Sequence, residues 1–390
     1  MAFSVGETIT IPSPIDVHAH LREPGGETKE TIESGTYAAL MGGYQAVFDM
    51  PNNPNGMQTW SEERIDQKVD IAESDAHTHI GFYAGVNLEE PALEEFSGMV
   101  TKAAGLKIYM GHTTGNVKEH DLEVARPSID AWIKASRVSG QDANPPILLH
   151  AREGVGEETA EYIASQGYPV HWCHLSTNTE AQSAGQLASR YPEYFTAGVT
   201  PHHLTMTDRD ADFKYGWNGA RMMPPLGKEV DGDALLSAFN SGQIQILETD
   251  HAPHTAEDKQ RAEEENPEGH DGVDCTTCFG VSGIEFVLPV MMSLVQRNKL
   301  SMDRLVEGLY NEPARMLGMV ATGRAITEIV IRPYEIGSDD RQGMSRNNPY
   351  VGWTAWGRVS KVTIDGNIKQ DNGRFVQKGG NRILRAGAEV

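Results

Sequence analysis

A chain of 390 residues with 39% hydrophobic content can bury a large core, and it is long enough for one big domain with an appendage or for two ordinary domains. Its 33 basic and 55 acidic residues give a formal charge of −22, so the surface repels phosphate backbones, and with no Lys/Arg-rich block nucleic acid is not an expected partner. Three cysteines, Cys173, Cys275 and Cys278, are too few for a disulfide framework; the opening MAFSVGETITIPSP lacks a leader pattern and no run approaches a membrane span, so a cytoplasmic protein off the membrane is expected.

In chain order, eight strand-length apolar runs succeed one another: IDVHAH, YQAVFDM, HIGFYAG, GLKIYM, PILLHA, PVHWCH, YFTAGVTPHH and IQILETDHAPH, spanning residues 15–254. Segments of helical spacing separate them, such as ETIESGTYAALMGG, which ends on Gly42-Gly43, and EGVGEETAEYIASQG before the sixth run. Strands alternating with helices predict a parallel sheet with helical crossovers, and eight units at this length match a closed (β/α)8 barrel of roughly 250 residues. A doubly wound open sheet competes, but no G-x-G-x-x-G follows a first strand and no P-loop pattern occurs.

Beyond residue 255 the pattern changes. AEDKQRAEEENPEGHDGVDCTTC is acidic and poor in apolar residues and reads as an exposed loop; its lone C-x-x-C at Cys275 and Cys278 is a weak signal, since a structural zinc would need two further ligands nearby and a redox role a thioredoxin-like context. Helical patterning resumes after it. From about Ala325 strands and turns take over, with Asp365-Gly366 as a hairpin signal. The expected division is residues 1–14 as an N-terminal strand of a small β appendage, 15–320 as the barrel, and 321–390 as the C-terminal part of the appendage with a tail.

Polar residues gather at the ends of the eight runs: His18 and His20, Asn52 and Asn53, Lys107, His150, His174, His202 and His203, and Asp250. In a barrel these are the strand C-termini, where active sites are built. Alternation along a strand puts His18 and His20 on one side, as two ligands of one ion require. For any single histidine a hydrogen-bonded structural role is the ordinary reading; four in phase with a carboxylate suit zinc, iron, manganese or cobalt. A lysine in GLKIYM either turns outward to solvent or, as a neutral amine, captures carbon dioxide as a carbamate that can bridge two metals. Glu23 reads as a surface residue of the turn, and His112, His120, His171 and His270 as incidental.

DVHAHLREPG, KETIESGTYAALMGG, DMPNNPN, GLKIYM, LLHARE, WCHLS, VTPHHL and TDHAPHT together resemble the dihydroorotases of the amidohydrolase superfamily, most closely the type fused in animal pyrimidine-synthesis proteins. The resemblance runs from about residue 10 to residue 318. It implies a (β/α)8 barrel carrying two divalent ions, usually zinc. The implied reaction is reversible hydrolysis of the cyclic amide of dihydroorotate to N-carbamoyl-aspartate by a metal-bridging hydroxide, in de novo pyrimidine biosynthesis. Carried over by position, His18 and His20 would hold the more buried metal and His150 and His174 the more exposed one. Lys107, as its carbamate, would bridge the two, and Asp250 would bind the first and carry the proton. Arg22, Asn52 and His254 would grip the substrate carboxylate, and Thr113 and Thr114 are candidates for contacts from a mobile loop. A homodimer and an association with aspartate transcarbamoylase are the implied partnerships.

The resemblance is incomplete in places. The N-terminal portion common in bacterial relatives is reduced to about a dozen residues, and RMMPPLG stands where many have Asn-Pro-Pro-Leu-Arg. Two other functions remain open: a related cyclic amidohydrolase such as dihydropyrimidinase, hydantoinase or allantoinase, whose substrates mostly lack the carboxylate that Arg22 would bind, and a catalytically silent scaffold for aspartate transcarbamoylase.

Overall fold

The computed structural model describes residues 3–111, 118–210, 222–265 and 279–390. Strand β1 (Thr8–Pro12) leads into β2 (Ile15–Ala19), β3 (Ala46–Asp49), β4 (His79–Phe82), β5 (Ala84–Gly85), β6 (Leu106–Tyr109), β7 (Ile147–His150), β8 (Val170–Trp172), β9 (Phe195–Val199) and β10 (Ile246–Leu247). Each of the eight predicted runs contains one of these from β2 onward, the third being interrupted at Tyr83 into β4 and β5. All pair in parallel, β2-β3-β4 in one sheet and β5 through β10 in another.

The remaining seam joins β10 back to β2. His20 N–H donates to the His251 carbonyl at 2.7 Å, and Ala19 and His251 form a parallel bridge. Side chains reinforce this closure: Asp16 accepts from Thr249 N–H at 3.1 Å and from the Thr249 hydroxyl at 2.6 Å. The barrel strands are buried along almost their whole length because side chains fill the interior while helices cover the outside.

The helices start where side chains can satisfy their exposed N–H groups. Thr31 caps Ile32–Met41 in a capping box with Ser34, and Thr177 caps Asn178–Arg190 with Glu180. Glu23, expected at the surface, is half-buried and accepts from Ile32 N–H at 2.8 Å at the start of the first of these helices. Gly43, at φ +99, completes the turn out of it in a left-handed conformation.

One expectation is overturned after β10. The acidic segment begins as a helix, Ala256–Glu265, and only its later part lies outside the described residues. It is held by Lys29–Asp258 at 3.0 Å and by the buried Lys259, whose amine donates to the Gly280 carbonyl. Such tertiary contacts do not show in composition.

The long β11 (Ile326–Glu335) and β12 (Thr354–Ile364), with β13 (Asn367–Asp371) and β14 (Arg374–Phe375), form an antiparallel sheet of order β1-β11-β12-β13-β14. Asp365 and Gly366, at φ 49 and 77, make the two-residue turn between β12 and β13 that Asp-Gly predicts. The last strand, β15 (Ile383–Leu384), leaves this sheet and pairs with β4. Among the described residues no helix is long and apolar enough to cross a membrane.

Candidate metal centre at the strand ends

His18 stands within β2 and His20 just past it, with ring centroids 5.4 Å apart. His174 follows β8 with its ring 5.0 Å from that of His18, and His150 ends β7 with its ring 4.8 Å from that of His174. Asp250, three residues beyond β10, completes the cluster: its Oδ1 lies 3.1 Å from His20 Nε2 and 3.4 Å from His18 Nε2. Thus four strand ends, those of β2, β7, β8 and β10, bring four histidines and a carboxylate together. His174 and Asp250, at φ 38 and 45, are left-handed non-glycine residues, a backbone arrangement found where surrounding contacts hold functional side chains in place.

The electrostatics suit neutral ligands. Burial lowers His18 to about 4, outweighing the carboxylates of Glu248 and Asp250, and burial likewise holds His20 and His174 well below the usual imidazole range. Asp250 is raised by burial against the opposing pull of His18 and Lys107. Neutral imidazole and carboxylate are the protonation states that bind a divalent ion.

The donor set fits metal. His18, His20 and Asp250 present ligand atoms within 4.8 Å of one another. His150 Nδ1 faces His174 Nε2 at 3.0 Å, and His174 Nδ1 is buried without a hydrogen-bond partner among the described residues. An orphaned buried nitrogen beside a second imidazole is costly in the absence of an ion and is relieved by one.

Lys107 lies beneath this cluster, fully buried, with Nζ 3.0 Å from Cys173 Sγ. It is not turned outward to solvent. Its charge nevertheless acts on His18, His20, His174 and Asp250.

Above the cluster a narrow cavity is lined by Arg22, Asn52, Tyr109, Phe279 and Gly280 along with the histidines and Asp250. Arg22 stands three residues past the end of β2 with a left-handed φ of 65, and its Nε donates to the Pro253 carbonyl at 3.2 Å. The Pro24-Gly25-Gly26 turn packs against the loop after β3, with Asn53 Nδ2 donating to the Pro24 carbonyl and Asn55 Nδ2 to that of Gly25. A Cβ on Gly25 would stand 2.6 Å from the Pro54 carbonyl oxygen, so glycine allows the two loops to touch as well as the chain to turn.

Asn52 has a role that alternation could not supply. Its Oδ1 accepts from His20 Nδ1–H at 2.7 Å, aiming His20 Nε2 at Asp250, and leaves the amide nitrogen for the cavity. His254 comes next to Arg22, but both its nitrogens are used. Lys29 Nζ donates to Nδ1 at 3.3 Å, so Nε2 carries the proton and donates to the Phe279 carbonyl at 2.8 Å. Its 3.2 Å approach to Arg22 Nη2 is therefore donor against donor rather than a hydrogen bond.

His202 and His203 follow β9 in the short helix Pro201–Thr205 and are buried, with His203 bonded to Thr200 and Pro224. Thr113, Thr114, Cys275, Cys278, His112 and His270 lie outside the described residues.

Sequence reasoning missed two residues. Tyr109, two positions after Lys107, lines the cavity with a buried hydroxyl that has no hydrogen-bond partner among the described residues. Glu248 is fully buried among His18, His171 and His174; burial favours its neutral form, but His18 and His171 outweigh that and hold it well below the usual carboxylate range. The signal was parity: Glu248 and Asp250 alternate onto the same side, as His18 and His20 do.

A family model described as dihydro-orotase-like matches residues 7–116. The chain is 31% identical over 407 aligned positions to a dihydroorotase of Geobacillus thermodenitrificans (strain NG80-2), covering 95% of this chain and 89% of that protein. It is 29% identical to the multifunctional protein CAD of Squalus acanthias, over 99% of this chain but only 16% of that protein's length. In fold it is similar to a dihydropyrimidinase from Brevibacillus agri NCHU1002, with a TM-score of 0.80, 19% identity and coverage of 98% and 88% of the two chains. That last likeness shows the barrel fold alone. The near-full-length identity, on a barrel whose strand ends gather residues that could hold a metal ion, places this chain among the dihydroorotases, a family of metal-dependent cyclic amidohydrolases.

Proposed function

We propose that this chain hydrolyses the ring amide of dihydroorotate to N-carbamoyl-aspartate and catalyses the reverse ring closure, as a step of pyrimidine biosynthesis. The observation that carries the reading is the single cavity over which the His18, His20 and Asp250 cluster, the His150–His174 pair and the Arg22 guanidinium converge. Two divalent ions, zinc on the likeness to the dihydroorotases, would be held by His18, His20 and Asp250 and by His150 and His174, with Lys107 contributing as its carbamate. When bound, such ions lower the pKa of water and polarise a carbonyl oxygen.

The chain's own residues supply the rest. Asp250 Oδ1 lies beside the His18 and His20 ring nitrogens and holds the proton that must reach the leaving ring nitrogen; in ring closure it takes it back. Arg22 presents a planar fork to the substrate carboxylate, the Asn52 amide adds a second donor, and Tyr109 offers its hydroxyl. His254, with both nitrogens engaged, braces Phe279 behind Arg22. The reading includes a homodimer, a cytoplasmic setting and association with aspartate transcarbamoylase; likeness to a part of a multifunctional protein supports a partnership of some kind.

The test is turnover by purified protein supplied with zinc and bicarbonate on dihydroorotate, dihydrouracil, hydantoin and allantoin. Preference for dihydroorotate supports the reading; turnover only of rings without a carboxylate moves the chain to the dihydropyrimidinase side, and no turnover of any favours a silent scaffold. Arg22→Met should raise KM for dihydroorotate at least 10-fold, since a charge-assisted bidentate contact contributes about 1.5–3 kcal/mol, while bound metal stays unchanged. An unaltered KM would remove Arg22 from carboxylate recognition.

A further inference from the structure

Glu248 directly follows β10, is fully buried, and lines no part of the cavity described above. Its carboxylate gathers three donors from two other strand ends. Oε2 lies 3.0 Å from His18 Nδ1 and 3.3 Å from His171 Nε2, and Oε1 accepts the His174 backbone N–H. The Glu248 carboxylate only accepts, so its contact with His171 requires the proton on Nε2, while Nδ1 lies 2.9 Å from the Thr196 hydroxyl. With the His18 proton on Nδ1 toward Glu248, the lone pair of His18 Nε2 points toward Asp250.

Space for this carboxylate exists because of the residue on the neighbouring strand. Gly198 pairs with Ile246 in the β9–β10 register. A Cβ at position 198 would overlap Glu248 Oε1 and come within 2.9 Å of His171 Nε2. Position 198 thus has to lack a side chain for Glu248 to reach across to β2 and β8.

We propose that Glu248 is a positioning residue of the metal centre, housed in the space above Gly198, which sets the tautomer of His18 and anchors the left-handed backbone of His174. One side chain then ties a member of the His18–His20 pair to a member of the His150–His174 pair. Second partners that orient a metal-bound histidine commonly change metal affinity 10–100-fold when removed. The proposal rests on the assignment of His18 and His174 as metal ligands.

The test titrates the metal-stripped full-length protein with Co2+, following the visible absorption of the bound ion, with far-ultraviolet circular dichroism to verify the fold. Glu248→Gln keeps the volume but replaces one acceptor oxygen with a donor amide among three N–H groups. It should weaken Co2+ binding about 10-fold or more with an altered spectrum, and Glu248→Ala should weaken it by up to 100-fold. Gly198→Ala should weaken Co2+ binding in the natural background and add little in the Glu248→Ala background, giving a coupling energy of opposite sign to the single effects. Binding and spectrum in Glu248→Gln identical to the unaltered protein would overturn the proposal, the carboxylate then only filling space. Absence of Co2+ binding by the unaltered protein would instead overturn the metal assignment, and this proposal with it.

Discussion

Lys107 is the residue whose chemistry is least ordinary for its place. It is fully buried beside the imidazole cluster, with its amine against Cys173 Sγ and no carboxylate at hydrogen-bond distance among the described residues. Conversion to a carbamate would turn this misplaced cation into an anion matched to its neighbours. Lys107→Ala should therefore lower bound metal and turnover together, turnover by 100-fold or more on the order of a lost ligand, with partial recovery on adding short carboxylic acids. Metal content and rate both unchanged would exclude the bridging role. At this scale much of the site was legible: His18, His20, His150, His174 and Asp250 stand at the ends of apolar runs, where strand parity and barrel geometry leave few alternatives. Asn52 supporting His20 and Glu248 supporting His18 were not, because each acts on a side chain from a strand remote in sequence.

Among the elements, the C-terminal β15 shows how a short segment can matter through one buried contact. His79, opening β4, accepts Arg382 N–H on Nδ1 at 3.0 Å, next to the residues that pair β15 with β4. Burial, assisted by the Arg382 guanidinium and opposed by Asp365, lowers His79 to about 4. In the unfolded chain its pKa returns to about 6.5, so between these values the unfolded state binds more protons. The contribution of neutral His79 is complete above pH 6.5 and is lost as pH falls toward 4. His79→Asn keeps an acceptor for Arg382 N–H but does not titrate, and should reduce the loss of stability between pH 7 and 4.5 by roughly 1–3 kcal/mol. Urea midpoints at the two pH values read this out; parallel pH dependence in both proteins would exclude His79 as the titrating group. The helices and the Asp365-Gly366 hairpin announce themselves through caps, apolar spacing and turn chemistry. The helix Ala256–Glu265 does not, since its stabilising contacts come from Lys29 and the Gly280 carbonyl rather than from an apolar stripe.

For the whole molecule, the appendage reaches into the wall of the site. The connection between β11 and β12 extends to the barrel rim, where the Ser345 hydroxyl donates to the His254 carbonyl at 2.9 Å and Asn347 Nδ2 to the Gly280 carbonyl at 2.8 Å. Gly280 and its neighbour Phe279 line the cavity, and His254 braces Phe279. The double variant Ser345→Ala/Asn347→Ala removes two hydrogen bonds of about 0.5–1.5 kcal/mol each and should raise KM for dihydroorotate about 3- to 30-fold while leaving bound metal unchanged. If KM is unaffected, the appendage does not shape the site.

By itself the sequence determined the strand and helix order, the barrel and the strand-end histidines, because period, turn chemistry and parity are local properties that a core reinforces. The tertiary structure alone decided how β10 closes on β2 through Asp16 and Thr249, how Gly198 makes room for Glu248, and how the β11–β12 connection braces the cavity. Each joins residues distant in the chain, and side-chain direction and spare volume at such meetings depend on the assembled barrel.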